Sequence, residues 1–191
     1  METVHPHHVL RSEILDYQTY EDRRETERAR IFEIKRPRRV HLGDHLTFLF
    51  ENHDTIRYQI QEMVRVERIV RESSIQEEID AYNEVLGEPG HLGCALLIEI
   101  EEEARRQPLL EEWMGLQEHL FAELPDTTRV YAEYDPAQVG ERRLSAVQYL
   151  TFELQDSPIA LGCDLPGLEG LVTLDGPQRV ALAEDLAASI G

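Results

Sequence analysis

The segment Phe50-Glu51-Asn52-His53-Asp54-Thr55 leads into Ile56-Arg57-Tyr58-Gln59-Ile60-Gln61-Glu62-Met63-Val64-Arg65-Val66-Glu67-Arg68-Ile69-Val70, which sets acids, amides and arginines at helical spacing. At ~100° per residue, Ile56, Ile60, Met63 and Val70 fall on one face, and Tyr58, Val66 and Ile69 widen it beyond half the circumference. A helix so apolar is expected to be mostly buried. Arg57, Gln61, Arg65 and Arg68 occupy the remaining face. Glu67 falls inside the apolar face, with Glu62 and Gln59 in the wider arc, and a buried carboxylate is costly unless paired or protonated. Two chemistries follow. In one, Glu67 pairs with Arg71 and Glu62 with Arg65 or an arginine of an earlier helix. In the other, a carboxylate of shifted pKa lines a polar pocket for a ligand. The candidate ligand- or partner-binding residues are Glu51, Asn52, Arg57, Gln59, Glu62, Arg65, Glu67 and Arg68.

The remaining chemistry is sparse. A single lysine, Lys35, leaves no Gly-x-x-x-x-Gly-Lys phosphate loop, and Gly-x-Ser-x-Gly, Gly-x-Gly-x-x-Gly, His-Glu-x-x-His and Cys-x-x-Cys are all missing. The chain reads as non-catalytic, with no cofactor or metal expected. His5, His7 and His8 form a terminal histidine tract of the kind that is usually disordered. His41 and His45 look like a ligand pair, but a two-residue turn at Gly43-Asp44 puts them on opposite faces of a hairpin. His45 with Glu51 and His53 is the weak metal candidate that remains.

The net charge of −19 is uneven: residues 1–71 hold 13 acidic and 13 basic side chains, leaving 25 acidic against 6 basic beyond them. Nucleic-acid binding rests on phosphate neutralisation, and the one dense basic run, Lys35-Arg36-Pro37-Arg38-Arg39, reads as a helix end whose cations complement the dipole. Nucleic acid is not an expected partner. No apolar run approaches the ~20 residues of a membrane span. The start METVHPHHVL lacks the apolar core of a signal peptide, and Cys94 and Cys163 make no disulfide framework, so the cytoplasm is the expected compartment.

The pattern of elements is α+β. A long helix is expected from Ser12 to about Lys35, almost wholly charged over 21–30. A hairpin of Val40–Leu42 and His45–Phe50 follows, then the helix from Asp54 or Thr55 to about Arg71. Ser74 with Glu77 forms a capping box opening a helix to Leu86 along Ile75, Ile79 and Tyr82. Leu92–Ile100 reads as a strand and Leu109–Leu124 as a helix. Beyond Pro125, short strands over 129–134, 146–154, 159–161 and 168–174 form a mainly antiparallel sheet, and Pro177 opens a terminal helix. A single domain over 1–191 is expected, with an internal division near 125 between helix-rich and strand-rich parts.

The run Arg38-Arg39-Val40-x-Leu42-Gly43, Phe50-Glu51-Asn52, Thr55, Gln59-Ile60-Gln61-Glu62-Met63 and Arg65-x-Glu67-Arg68 resembles an uncharacterised bacterial family, domain-of-unknown-function family 3501. The likeness extends through Tyr82-Asn83, Ile98-Glu99-Ile100 and Ser145-Ala146-Val147-Gln148-Tyr149. It implies no mechanism. It does imply a redox or oxidative-stress setting, because members are often encoded beside rubrerythrin-like proteins and iron–sulfur oxidoreductases. The expectation is a non-catalytic accessory or binding protein of such a system, using the arginine stripe and the Glu51-Asn52 turn as contact surface. The alternative is a ligand-binding protein or enzyme with a pocket of glutamate, arginine and glutamine.

Overall fold

The computed structural model describes residues 5–191, so Met1–Val4 of the signal-peptide reading lie outside the described residues. Among the described residues the fold is α+β: five α-helices and two four-stranded antiparallel sheets. The first sheet has the order β1 (Arg39–Leu42), β2 (Leu46–Phe50), β3 (His91–Ile98), β6 (Val147–Glu153). The second has the order β5 (Arg129–Tyr131), β4 (Leu120–Glu123), β7 (Ala160–Cys163), β8 (Gly170–Thr173). Each sheet therefore mixes strands from before and after residue 125. The sheets also meet at both edges. Glu133 bridges Thr151 beside β6, and Gly170 of β8 packs against Leu42 of β1.

Alternation drives this arrangement. Val40 and Leu42, Phe48 and Phe50, Leu150 and Phe152 point inward and are buried, whereas Arg39, His41, Tyr149 and Glu153 on the same strands are exposed. The inward set forms one apolar core between the sheets, closed by Leu116, Leu161, Leu182 and Leu186. A second apolar cluster, with Val9, Ile14, Ile56, Ile60, Val64, Ile75 and Ile79, holds the N-terminal segment against two helices, α2 (His53–Val66) and α3 (Glu72–Asn83). Gly93 in β3 is required there: a Cβ at this position would overlap the Val85 carbonyl, so the turn after α3 rests directly on the strand.

Helix α1 (Tyr17–Lys35) buries only Tyr20 and Ile31. It opens at Asp16, whose side chain accepts from the Gln18 and Thr19 amides, rather than at Ser12, which lies in a short 3-10 turn. Its charged middle is held antiparallel to α2 by a ladder of ion pairs. Glu21 meets Arg65 at 3.5 Å, Arg24 meets Glu62 at 2.8 Å, Glu27 meets Arg57 at 2.9 Å and Arg30 meets Asp54 at 2.6 Å. The basic run at its end is likewise engaged: Arg38 is buried and Arg36 pairs with Glu33.

Several expected boundaries move, each for a local reason. The hairpin loop has three residues, since Leu42 pairs with Leu46. The α2 helix stops at Val66 because Arg68 takes a left-handed φ of 51°, and the Ile69 amide then donates to Val64 O at 3.0 Å, a Schellman closure built without glycine. Helix α3 begins at Glu72, ahead of the supposed Ser74 box. The expected helix over 109–124 is instead α4 (Glu103–Glu112), which contains Pro108, followed by a short turn and then β4. Leu120, Phe121 and Ala122 are consecutive and all buried, a pattern that suits a strand covered on both faces. The terminal helix α5 (Gly176–Ile190) starts at Asp175 with Gln178 completing its capping box. Among the described residues no helix is long and apolar enough to cross a membrane.

Candidate functional site

Of the eight candidate residues, Glu51 and Asn52 line one cavity, of about 250 Å³, at the junction of β2, α2 and α5. Asn52 caps α2 by accepting from the Thr55 amide, and its own side-chain amide donates to Asp185 at 3.0 Å. Asp185 in turn holds Arg38. Glu51 Oε2 is buried without a hydrogen-bond partner, as is Nδ1 of His7 in the same wall. Burial pushes the Glu51 carboxyl above the usual carboxylate range, and Lys35, 4.0 Å from Oε1, only partly offsets it. His7 is 7% exposed, with Nε2 3.1 Å from Gly87 O, so this histidine of the tract packs against the body of the fold.

The arginine stripe is not a free surface. Arg57 and Arg65 are about three-quarters buried in the ladder to α1, with side-chain exposures of 20% and 24%. Arg68 is exposed at the helix end. Glu62 accepts from Tyr20, Arg24 and Arg65. Burial pushes its pKa upward, but these donors outweigh it and hold the group below the usual range. The ion-pair reading of Glu62 therefore holds. That of Glu67 does not, because the helix ends before it and its side chain is exposed.

The weak metal set is not brought together. His45 sits in the hairpin turn against Trp113, with ring centroids 5.3 Å apart, whereas Glu51 and His53 lie beyond the other end of β2. Five strand residues at ~3.3 Å each separate them by roughly 17 Å. His53 contacts Glu13 at 3.0 Å.

A larger cavity, of about 580 Å³, opens between α3 and the outer face of β6. Three tyrosines, Tyr82, Tyr134 and Tyr149, and three carboxylates, Glu84, Glu133 and Asp135, line it, with no lysine, arginine or histidine among the described lining residues. The floor is the outward row of β6, where Tyr149 and Thr151 project. The far wall is the turn 135–139, fixed to the strand by Gln138. Its side chain donates to Tyr149 O and accepts from the Tyr149 amide, both at 2.8 Å. Burial pushes the Tyr82 hydroxyl up, and Glu78 and Glu67 nearby add to the shift, while Gln59 opposes it. The sequence candidates Gln59 and Glu67 do not line this cleft and reach it only through their influence on Tyr82.

The cleft carries no local sequence signal. Tyr82 read as part of an apolar helical stripe and Tyr149 as an ordinary strand residue. Their convergence depends on the end of α3 and the turn after it lying against β6, which no local pattern encodes. The acidic excess beyond residue 71 was the available signal.

The chain matches the family model described as "Protein of unknown function (DUF3501)" over residues 8–186. It is similar to a crystal structure described as a novel protein of unknown function from Burkholderia pseudomallei K96243. The identity is 34%, with a TM-score of 0.86, over 93% of this chain and 98% of that one. No curated protein matches. A match that runs nearly end to end, with the same fold in a relative at that identity, places the chain in one family: it belongs to DUF3501.

Proposed function

We propose that the protein is a non-catalytic binding protein and that what it binds at the α3–β6 cleft is cationic, an ammonium or guanidinium group seated among tyrosine rings. The observation that carries this reading is the lining itself: three tyrosines and three carboxylates without a compensating cation. Aromatic faces attract cations by their quadrupole, by ~0.5–1 kcal/mol at exposed rings and about 2 or more when desolvated. Neighbouring carboxylates add a field that concentrates cations in a concave, low-dielectric site. The volume suits a small ligand or one long side chain.

In the setting implied by the family resemblance, the cation is a lysine or arginine side chain of a rubrerythrin-like or iron–sulfur partner. The same chemistry accepts a free amine. Titration calorimetry with a free polyamine, alongside a pull-down with a purified rubrerythrin-like protein, separates the two sources. Tyr149→Ala and Asp135→Asn are expected to weaken whichever binds, without changing the fold by circular dichroism. If neither probe binds, or if the variants bind as the parent does, the reading fails.

A further inference from the structure

The outward row of β6 does not end at the cleft. Glu153 follows Thr151 on the same face and is the register partner of His91 on β3. Glu133 reaches the same place from the bridge to Thr151. One ligand atom from each of His91, Glu133 and Glu153 lies within 4.8 Å of the others. The three residues come from three separate stretches of chain, brought together by strand pairing alone.

We propose that His91, Glu133 and Glu153 form a zinc site at the rim of the cleft, with an open coordination position. The orientation of the imidazole argues for it. Nδ1 of His91 lies 3.1 Å from the Glu88 carbonyl. A carbonyl only accepts, so in the neutral imidazole Nδ1 carries the proton and Nε2 presents its lone pair. Metal-bound histidines usually have their other nitrogen fixed in this way. Nε2 faces Glu133 Oε2 at 3.8 Å, too far for a hydrogen bond. A tetrahedral ion with ligands at ~2.0–2.2 Å spaces its donor atoms at roughly 3.3–3.6 Å, so turns of the two exposed glutamate side chains complete the site.

The imidazole is itself immobilised. Its side chain is 14% exposed, and Gly87, at φ 73°, packs where any Cβ would strike the His91 Cβ. Glu133 and Glu153 are exposed and free to adjust. One imidazole nitrogen with two carboxylates selects a borderline cation over calcium or magnesium, which favour all-oxygen shells. Three protein ligands leave a fourth position for water or for a donor group. Glu133 also lines the cleft, so a bound ion would sit at its edge.

The test is calorimetric titration of the metal-free full chain with Zn2+ alone at neutral pH. One equivalent is expected, with affinity falling at least tenfold in Glu153→Gln and in His91→Ala, and unchanged in His45→Gln. Glu153 is exposed, so its variant keeps the result interpretable should His91→Ala disturb the strand end. The rival is the N-terminal tract, where the rings of His5 and His8 lie 4.7 Å apart. Zinc lost in a His5→Gln/His8→Gln variant but retained in Glu153→Gln overturns the proposal, as does the absence of stoichiometric binding. Binding of polyamine with no zinc bound leaves the cleft reading intact and removes only this one.

Discussion

Arg38 and Asp185 stand 147 positions apart and meet in a two-point ion pair. Nε donates to Oδ2 at 2.7 Å and Nη2 to Oδ1 at 2.8 Å, with each side chain 9% exposed. Arg38 also donates to the Ile34 carbonyl, and Asp185 also accepts from Asn52, so the pair joins the end of α1, the start of α2 and the terminal helix. Removing one partner of a buried pair strands the other charge, which costs ~3–5 kcal/mol, whereas replacing both with apolar groups is often neutral. Asp185→Leu is therefore expected to destabilise by about that amount in urea unfolding. The double variant Arg38→Met/Asp185→Leu is expected to recover most of the loss.

The buried Glu51 carboxyl gives a pH signature. Its native pKa lies above the unfolded value of 4.5, because burial disfavours the charge. The native state therefore holds this proton to higher pH than the unfolded chain does. The stability contributed by the group is full below the unfolded value and is lost as pH rises through the native one. Glu51→Gln keeps the neutral form at every pH. It should raise Tm at pH 8 and change it little at pH 4, as read by thermal melts across that range.

Arg68 holds a left-handed conformation that costs an L-residue roughly 1–2 kcal/mol and costs glycine little. Part of that gain is offset by the entropy glycine loses on folding. Arg68→Gly is expected to stabilise by roughly 0.5–1 kcal/mol in urea unfolding, while Arg68→Ala should not.

Gly93 offers the reverse case. Its backbone suits any residue, but an added methyl meets the Val85 carbonyl and the Leu86 Cα, which are backbone and cannot swing aside. Gly93→Ala should cost about 3 kcal/mol or more, at the upper end for overpacking. A near-silent variant in the same unfolding assay would mean that the turn after α3 shifts freely.

Legibility in the sequence followed the range of the signal. Ile56, Ile60, Ile75 and Ile79 declare their helices through spacing, and Pro177 marks the first turn of the last one, while the Asp175–Gln178 box that caps it emerges only in the structure. Boundaries failed where the stop carried no signal. Val66-Glu67-Arg68-Ile69-Val70 continues an apolar period straight through a helix end that an arginine closes, and so the period places Glu67 inward although it is exposed. Leu116, Leu120 and Phe121 have helical spacing but serve a turn and a doubly covered strand. At the site, Glu51-Asn52 stood out because it joins a strand to a capped helix. The tyrosine cleft and the His91–Glu153 pairing did not, since the pairing depends on β3–β6 register and the cleft on where the end of α3 and the turn after it lie against β6.

The most direct test of the account compares two probes of nearly equal shape in the cleft: choline, which is cationic, and dimethylbutanol, its uncharged carbon counterpart. Tyr82, Tyr149, Glu133 and Asp135 line the cleft, and under the proposed function they recognise charge rather than bulk. By titration calorimetry at low salt, choline should bind at least tenfold more tightly, a difference of about 1.4 kcal/mol. Tyr149→Ala should erase that margin, and added salt should reduce it. Equal affinity for the two probes, or a margin that survives Tyr149→Ala, would contradict cation recognition by the cleft.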